Sequence, residues 1–66
     1  MPVTVEVVGG ETQTCAVDDD ATYADLIRTA GYHPQEATIL VDGTPVPGDA
    51  AVDVDRVQLL RLIQGG

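Results

Sequence analysis

Sixty-six residues allow one domain, and a domain this small buries only about 60% of the surface of its unfolded chain, so no internal active-site cleft is expected. Eleven acidic residues against three arginines and no lysine give a formal net charge of −8 and a pI near 4.1, a surface that repels nucleic-acid phosphates and anionic lipid heads. One cysteine excludes an internal disulfide and a multi-thiolate metal site.

With 44% hydrophobic residues, two tyrosines and neither Phe nor Trp, the core has to come from Val, Leu, Ile and Ala. Val3, Val5 and Val7 alternate with Thr4, Glu6 and Val8, the period of a strand with one buried face, which predicts a first strand over residues 2–8. Gly9 and Gly10 can supply the positive φ angles of a tight hairpin into a second strand over residues 11–17. On that strand Cys15 and Val17 share the inward face.

After Asp18, Asp19 and Asp20 the period changes. Tyr23, Leu26, Ile27 and Ala30 stand at the i, i+3, i+4, i+7 spacing of an amphipathic helix. Thr22 is its expected N-cap with Asp25 three residues on, and Gly31 its left-handed stop. The aspartates suit the positive end of the helix dipole, a structural role that needs no metal.

A short connection containing His33 and Pro34 leads to a β-branched and apolar third strand over residues 38–41. Asp42-Gly43 signals a hairpin into a brief fourth strand around residues 44–46, closed by Pro47. Residues 50–55 read as a crossing segment that buries Val52 or Val54. The last strand covers residues 56–62. A hairpin, a crossover helix and a final strand laid parallel to the first give an α+β fold, a β-grasp of order β-β-α-β-β-β: a mixed sheet of four to five strands with one packed helix. The domain is expected over residues 1–62, with residues 63–66 as a flexible tail ending in Gly-Gly.

No enzyme is visible in this pattern. His33 has no nucleophile partner, the chain has no serine, Cys15 reads as a small core hydrophobe, and the turn glycines lack phosphate-loop spacing. Nothing calls for a bound cofactor or metal. No apolar run approaches the ~20 residues of a membrane span, and the first residues lack the regions of a signal peptide, so a cytoplasmic monomer is expected.

The chemistry that remains is in the tail, Leu62-Ile63-Gln64-Gly65-Gly66. Glycines have no Cβ and can thread a narrow catalytic channel. A carboxylate is a poor electrophile until ATP converts it to an acyl adenylate, and at Gly66 the resulting carbonyl would be unhindered. A frayed chain end is the plain alternative. If Val57 and Leu59 are core, Leu60, Leu62 and Leu40 can form an apolar partner-binding patch beside the tail, or can pack conventionally.

The tail and the β-β-α-β order resemble ubiquitin. Over nearly its whole length the chain more closely resembles the small archaeal modifier proteins of halophilic archaea. The stretches that carry this are Val3-Thr4-Val5-Glu6-Val7-Val8, Ala16-Val17-Asp18-Asp19-Asp20, Thr22-Tyr23-Ala24-Asp25-Leu26, Leu40-Val41-Asp42-Gly43, Val54-Asp55-Arg56-Val57 and Leu60-Arg61-Leu62-Ile63-Gln64-Gly65-Gly66.

The resemblance implies a ubiquitin-like fold and a dual role as protein modifier and sulfur carrier. A ubiquitin-activating-like enzyme would use ATP to adenylate Gly66, with Gly65 positioning it. The product would become either a thiocarboxylate, as for tRNA thiolation, or an isopeptide bond to target lysines. The implied partners are that adenylating enzyme, target-protein lysines, and sulfur donor and acceptor enzymes. Leu62 and Gln64 stand where ubiquitin carries arginines, which argues against a eukaryotic activating enzyme. Two other readings stay open: a dedicated sulfur carrier, like the small subunit of molybdopterin synthase, that never conjugates, and a non-covalent β-grasp binding module with an idle tail.

Overall fold

The computed structural model describes residues 1–62. Six elements follow one another: β1 (Pro2–Val7), β2 (Thr12–Ala16), α1 (Tyr23–Thr29), β3 (Ala37–Val41), β4 (Thr44–Val46) and β5 (Arg56–Arg61). They form one sheet in the order β2-β1-β5-β3-β4. β5 lies between β1, to which it is parallel, and β3, to which it is antiparallel. The predicted β-grasp topology is thus present.

The alternation in β1 sends Val3, Val5 and Val7 to the helix side, where they are buried. Val57 and Leu59 of β5 and Ala37 and Ile39 of β3 meet them there, and Tyr23, Leu26, Ile27 and Ala30 of the helix close the core from above. Cys15 joins this cluster, and burial raises the pKa of its thiol, so it is a packing residue.

Both strands of the first hairpin are one residue shorter at the turn than the sequence predicts. The Gly10 N–H donates to the Val7 carbonyl at 2.9 Å, and the loop needs its own residues to reverse direction. Only Gly9 takes a positive φ, +76°. In the second hairpin both turn residues do, Asp42 at +53° and Gly43 at +79°, the type I′ geometry that matches the twist of paired strands.

The helix is capped as its sequence indicates. The Asp25 N–H donates to Thr22 Oγ1, and the Thr22 N–H donates to the Asp25 carboxylate. These Thr22 bonds, the backbone one foremost, hold the Asp25 carboxyl below its ordinary pKa, with Arg28 adding a smaller pull. At the other end Gly31, at φ +94°, allows the Gly31 and Tyr32 N–H groups to bond the Arg28 and Ile27 carbonyls.

The crossing segment is stitched to the helix start. Tyr23 N–H donates to the Ala50 carbonyl, Ala24 N–H to that of Gly48, and Val52 N–H to that of Ala21. Of the two candidate anchors Val52 is the buried one, while Val54 is only half-buried against the core. Tyr23 is buried with its hydroxyl on Asp53 at 3.2 Å; burial first, and that bond next, raise its pKa.

Candidate functional site: the end of strand β5 and the helix-free sheet face

Strand β5 sets the exit of the chain. It is held on both sides, with Val57 and Leu59 fully engaged in the core. At its end the Leu62 N–H donates to the Glu36 carbonyl at 2.7 Å, fastening the last described residue to the start of β3. Gly65 and Gly66 lie outside the described residues.

Residues that alternate with the core positions point away from the helix. On β3 and β5 these are Thr38 and Leu40, and Gln58 and Leu60. Thr38 is paired with Leu60 and Leu40 with Gln58, so Leu40 and Leu60 are diagonal neighbours on adjacent strands. Leu60 is 36% exposed and Leu40 half-buried.

Leu62 is placed differently. It follows the end of β5 at a bend, is exposed, and borders a small groove on β3 together with Ile27, Pro34 and Ala37. β5 ends at Arg61, and the Leu62 N–H bond to the Glu36 carbonyl extends by one residue the register that sets Ala37 opposite Arg61.

Val8 is a neighbour that the sequence reading did not assign to the site. Its N–H donates to the Leu59 carbonyl, and the parallel register, in which Val7 stands opposite Leu59, carried one step further sets Val8 beside Leu60. It is 48% exposed. The signal was present in the sequence, since Val8 shares the solvent-side alternation of Thr4 and Glu6.

An open groove of about 450 Å³ adjoins the Leu40 side of this face, lined among others by Glu6, Leu40, Asp42, Val54, Arg56 and Gln58. Arg56 is ion-paired with Glu6 at its rim. Its floor offers no nucleophile beside a base, the minimum for covalent catalysis. His33 is exposed in the loop before β3, and Cys15 is inside on the opposite side of the sheet. Among the described residues no three His, Cys, Asp or Glu side chains gather as a metal site, and no helix is long and apolar enough to cross a membrane.

A five-stranded mixed sheet that grips a single helix and sends its chain end out from a central strand is the ubiquitin-like form of the β-grasp. An NMR structure of a computationally designed protein, based on the template of human erythrocytic ubiquitin, superposes with a TM-score of 0.70 over 98% of this chain and 95% of that one. At 16% identity that likeness concerns the fold alone.

Residues 1–63 match the family model for small archaeal modifier protein 2, and the chain belongs to that family. Small archaeal modifier protein 2 of Haloferax volcanii is 65% identical over 66 residues, covering 100% of both chains. The crystal structure of the H. volcanii protein superposes with a TM-score of 0.75 at 64% identity, over 97% of each chain. An uncharacterized protein of Archaeoglobus fulgidus is 25% identical, again over the full length of both.

Proposed function

We propose that this modifier works through the carboxylate of Gly66, which a ubiquitin-activating-like enzyme adenylates with ATP. The carboxylate oxygen attacks the α-phosphorus of ATP, pyrophosphate leaves, and the acyl–AMP anhydride replaces a poor electrophile by a good one. A lysine amine of a target protein then displaces AMP to form an isopeptide bond. Alternatively, a sulfide-level sulfur from a donor enzyme displaces AMP to leave a thiocarboxylate for transfer, as in tRNA thiolation. The protein is the substrate of these steps and holds no cofactor of its own; ATP is bound by the enzyme. Gly65 gives the tail the conformational latitude to enter the adenylation channel. The setting is the cytoplasm, where ATP and targets are at hand.

One observation carries this reading above the rest. The chain aligns with a protein named a modifier from the first residue of both to the last, so its Gly-Gly end coincides with the end of that relative. The anchored β5 adds mechanical support, since a rigid central strand hands the following residues to a partner without unfolding the body. The face formed by Val8, Leu40 and Leu60 is the docking surface for the activating enzyme, with Leu62 beside the tail.

Intact mass spectrometry after incubation with ATP, a sulfur donor and the activating enzyme tests the claim. A Gly66 thiocarboxylate, together with Gly-Gly remnants on target lysines, is the expected result. A chain lacking Gly66 should keep its fold and lose both products; retention of either overturns the proposal. Sulfur transfer without remnants would leave a carrier that does not conjugate. Because the chain has no lysine, it offers no side-chain amine for polymer growth, and conjugates should carry a single copy at each target lysine, without lysine-linked polymers.

A further inference from the structure

A strand at the rim of a sheet leaves a row of backbone N–H and C=O groups unpaired, and the rims here are β4 and β2. β4 is blunted. It has three residues, and the middle one is Pro45. Val41 and Thr44 flank the tight turn as a bonded pair, so at the next pair the Pro45 backbone faces outward, where proline has no N–H to offer.

β2 is left open. Its five residues, Thr12–Ala16, include neither a proline nor a charged side chain. The Val7 N–H donates to the Glu11 carbonyl and the Val17 N–H to the Met1 carbonyl, which fixes Gln13 and Cys15 as the other residues of β2 that bond inward to β1. The N–H and C=O groups of Thr12, Thr14 and Ala16 therefore point away from β1, and among the described residues no strand or backbone group meets them. The side chains of these three are exposed on the face away from the helix, while Gln13 and Cys15 turn toward it. Gln13 is tied there, its Nε2 donating to the Ala30 carbonyl at 3.0 Å.

The charge around this rim selects its occupant. Glu11 precedes β2, and Asp18, Asp19 and Asp20 follow it. Together with Asp42 in the β3–β4 turn and Asp53 and Asp55 before β5, they place six aspartates at the end of the sheet opposite the β5 exit. Just past β2 an open pocket of about 290 Å³ is lined among others by Val17, Asp18, Asp20, Asp25 and Thr29. Asp25 is paired with Arg28, whereas Asp18 and Asp20 have no ion pair among the described residues. A second copy laid antiparallel on this rim would bring its Glu11 toward those aspartates, and like charges set opposite each other oppose such pairing. A strand added beside β2 turns alternate side chains to the helix side, in step with Gln13, Cys15 and Val17. Its residue opposite Val17 then stands over the acidic pocket.

We propose that the outer edge of β2 is a docking site for an extended, basic peptide segment of a partner protein, which adds a strand to the sheet and sets an arginine or lysine over Asp18 and Asp20. Backbone bonds at Thr12, Thr14 and Ala16 supply the attachment, and the carboxylates supply the choice of partner. β2 lies two strands from β5, about 10 Å away, so a partner on this edge reads the body of the modifier independently of the tail chemistry.

The test titrates the isotope-labelled protein with a synthetic peptide, Arg-Thr-Val-Thr-Val-Thr capped at both ends, in about 0.1 M KCl. Paired antiparallel, it sets its arginine opposite Val17. Amide hydrogen exchange at Thr12, Thr14 and Ala16 should slow roughly fivefold or more at saturation, with Gln13 and Cys15, already bonded to β1, little changed. A glutamate in place of the peptide's arginine should weaken binding roughly tenfold, and Asp18→Asn combined with Asp20→Asn should erase most of that difference. N-methylation of the peptide's threonines removes the donors that face β2 and should abolish binding with the protein unaltered. Thr14→Pro, a change that an outer edge tolerates, should abolish it from the protein's side. Equal binding by the methylated peptide, protection confined to residues outside β2, or no binding of the arginine peptide up to about 1 mM would each overturn the proposal. Dimers of the free protein paired through β2 would overturn the choice of occupant.

Discussion

The two faces of the sheet are made by the same strands and meet opposite fates. On β5, Val57 and Leu59 are buried against the helix, while Gln58 and Leu60, one residue away, look out. The helix explains the difference: it is a single element and can cover only one face. A side-chain period of two then divides each strand between a covered face and an open one. Apolar residues on the covered face stabilise the fold, whereas Leu60 beside Val8 leaves apolar surface in water.

Replacing Leu59 with Ala attacks the covered face at a position of zero exposure. A cost of about 2–5 kcal/mol is expected, against a total stability of roughly 3–10 kcal/mol for a chain of this length. Urea titration at fixed KCl measures it, and a loss below 1 kcal/mol would mean that the covered face is not where stability resides.

Leu60→Arg is the mirror experiment. Stability should change by no more than about 0.5 kcal/mol, while kcat/KM for activation falls roughly tenfold, the scale of a modest interface hot spot. Unchanged activation kinetics would remove the docking role from the open face.

The comparison can be sharpened at the helix itself, since the cap holds the cover in place. Thr22→Ala removes the acceptor for the Asp25 N–H and should cost about 1 kcal/mol in thermal unfolding. The smallest effect is titrational. Asp25 has a lowered pKa in the folded state, so its contribution is present above the ordinary carboxylate value and fades as pH falls through the lowered one. Asp25→Asn should therefore melt below the parent at neutral pH, with the two curves converging in acid. Parallel curves across that range would show that the Asp25 charge contributes nothing to the cap.

Local chemistry made much of this legible before any coordinates. The Thr22 and Asp25 cap, the Gly31 stop and the Asp42-Gly43 turn are properties of a few adjacent residues, and each is where the sequence places it. The burial of Tyr23, Leu26, Ile27 and Ala30 follows from periodicity alone. The site was legible only in part. Leu40 and Leu60 sit on one face because the strand period runs through them, and Leu62, one residue past the end of β5, borders a groove with Ile27 and Pro34. No local pattern announces a groove whose walls come from segments far apart in the chain.

By itself the sequence determined the elements, their caps, the covered face, the absence of any side-chain amine and, through its full-length resemblance, the family. Tertiary structure decided which strands became neighbours: that Val8 stands beside Leu60, and that six aspartates gather at one end of the sheet. Periodicity and capping act over a turn or a strand, where covalent geometry fixes the spacing. Charge sorting and the open face arise from register between distant segments, which only the packed sheet sets.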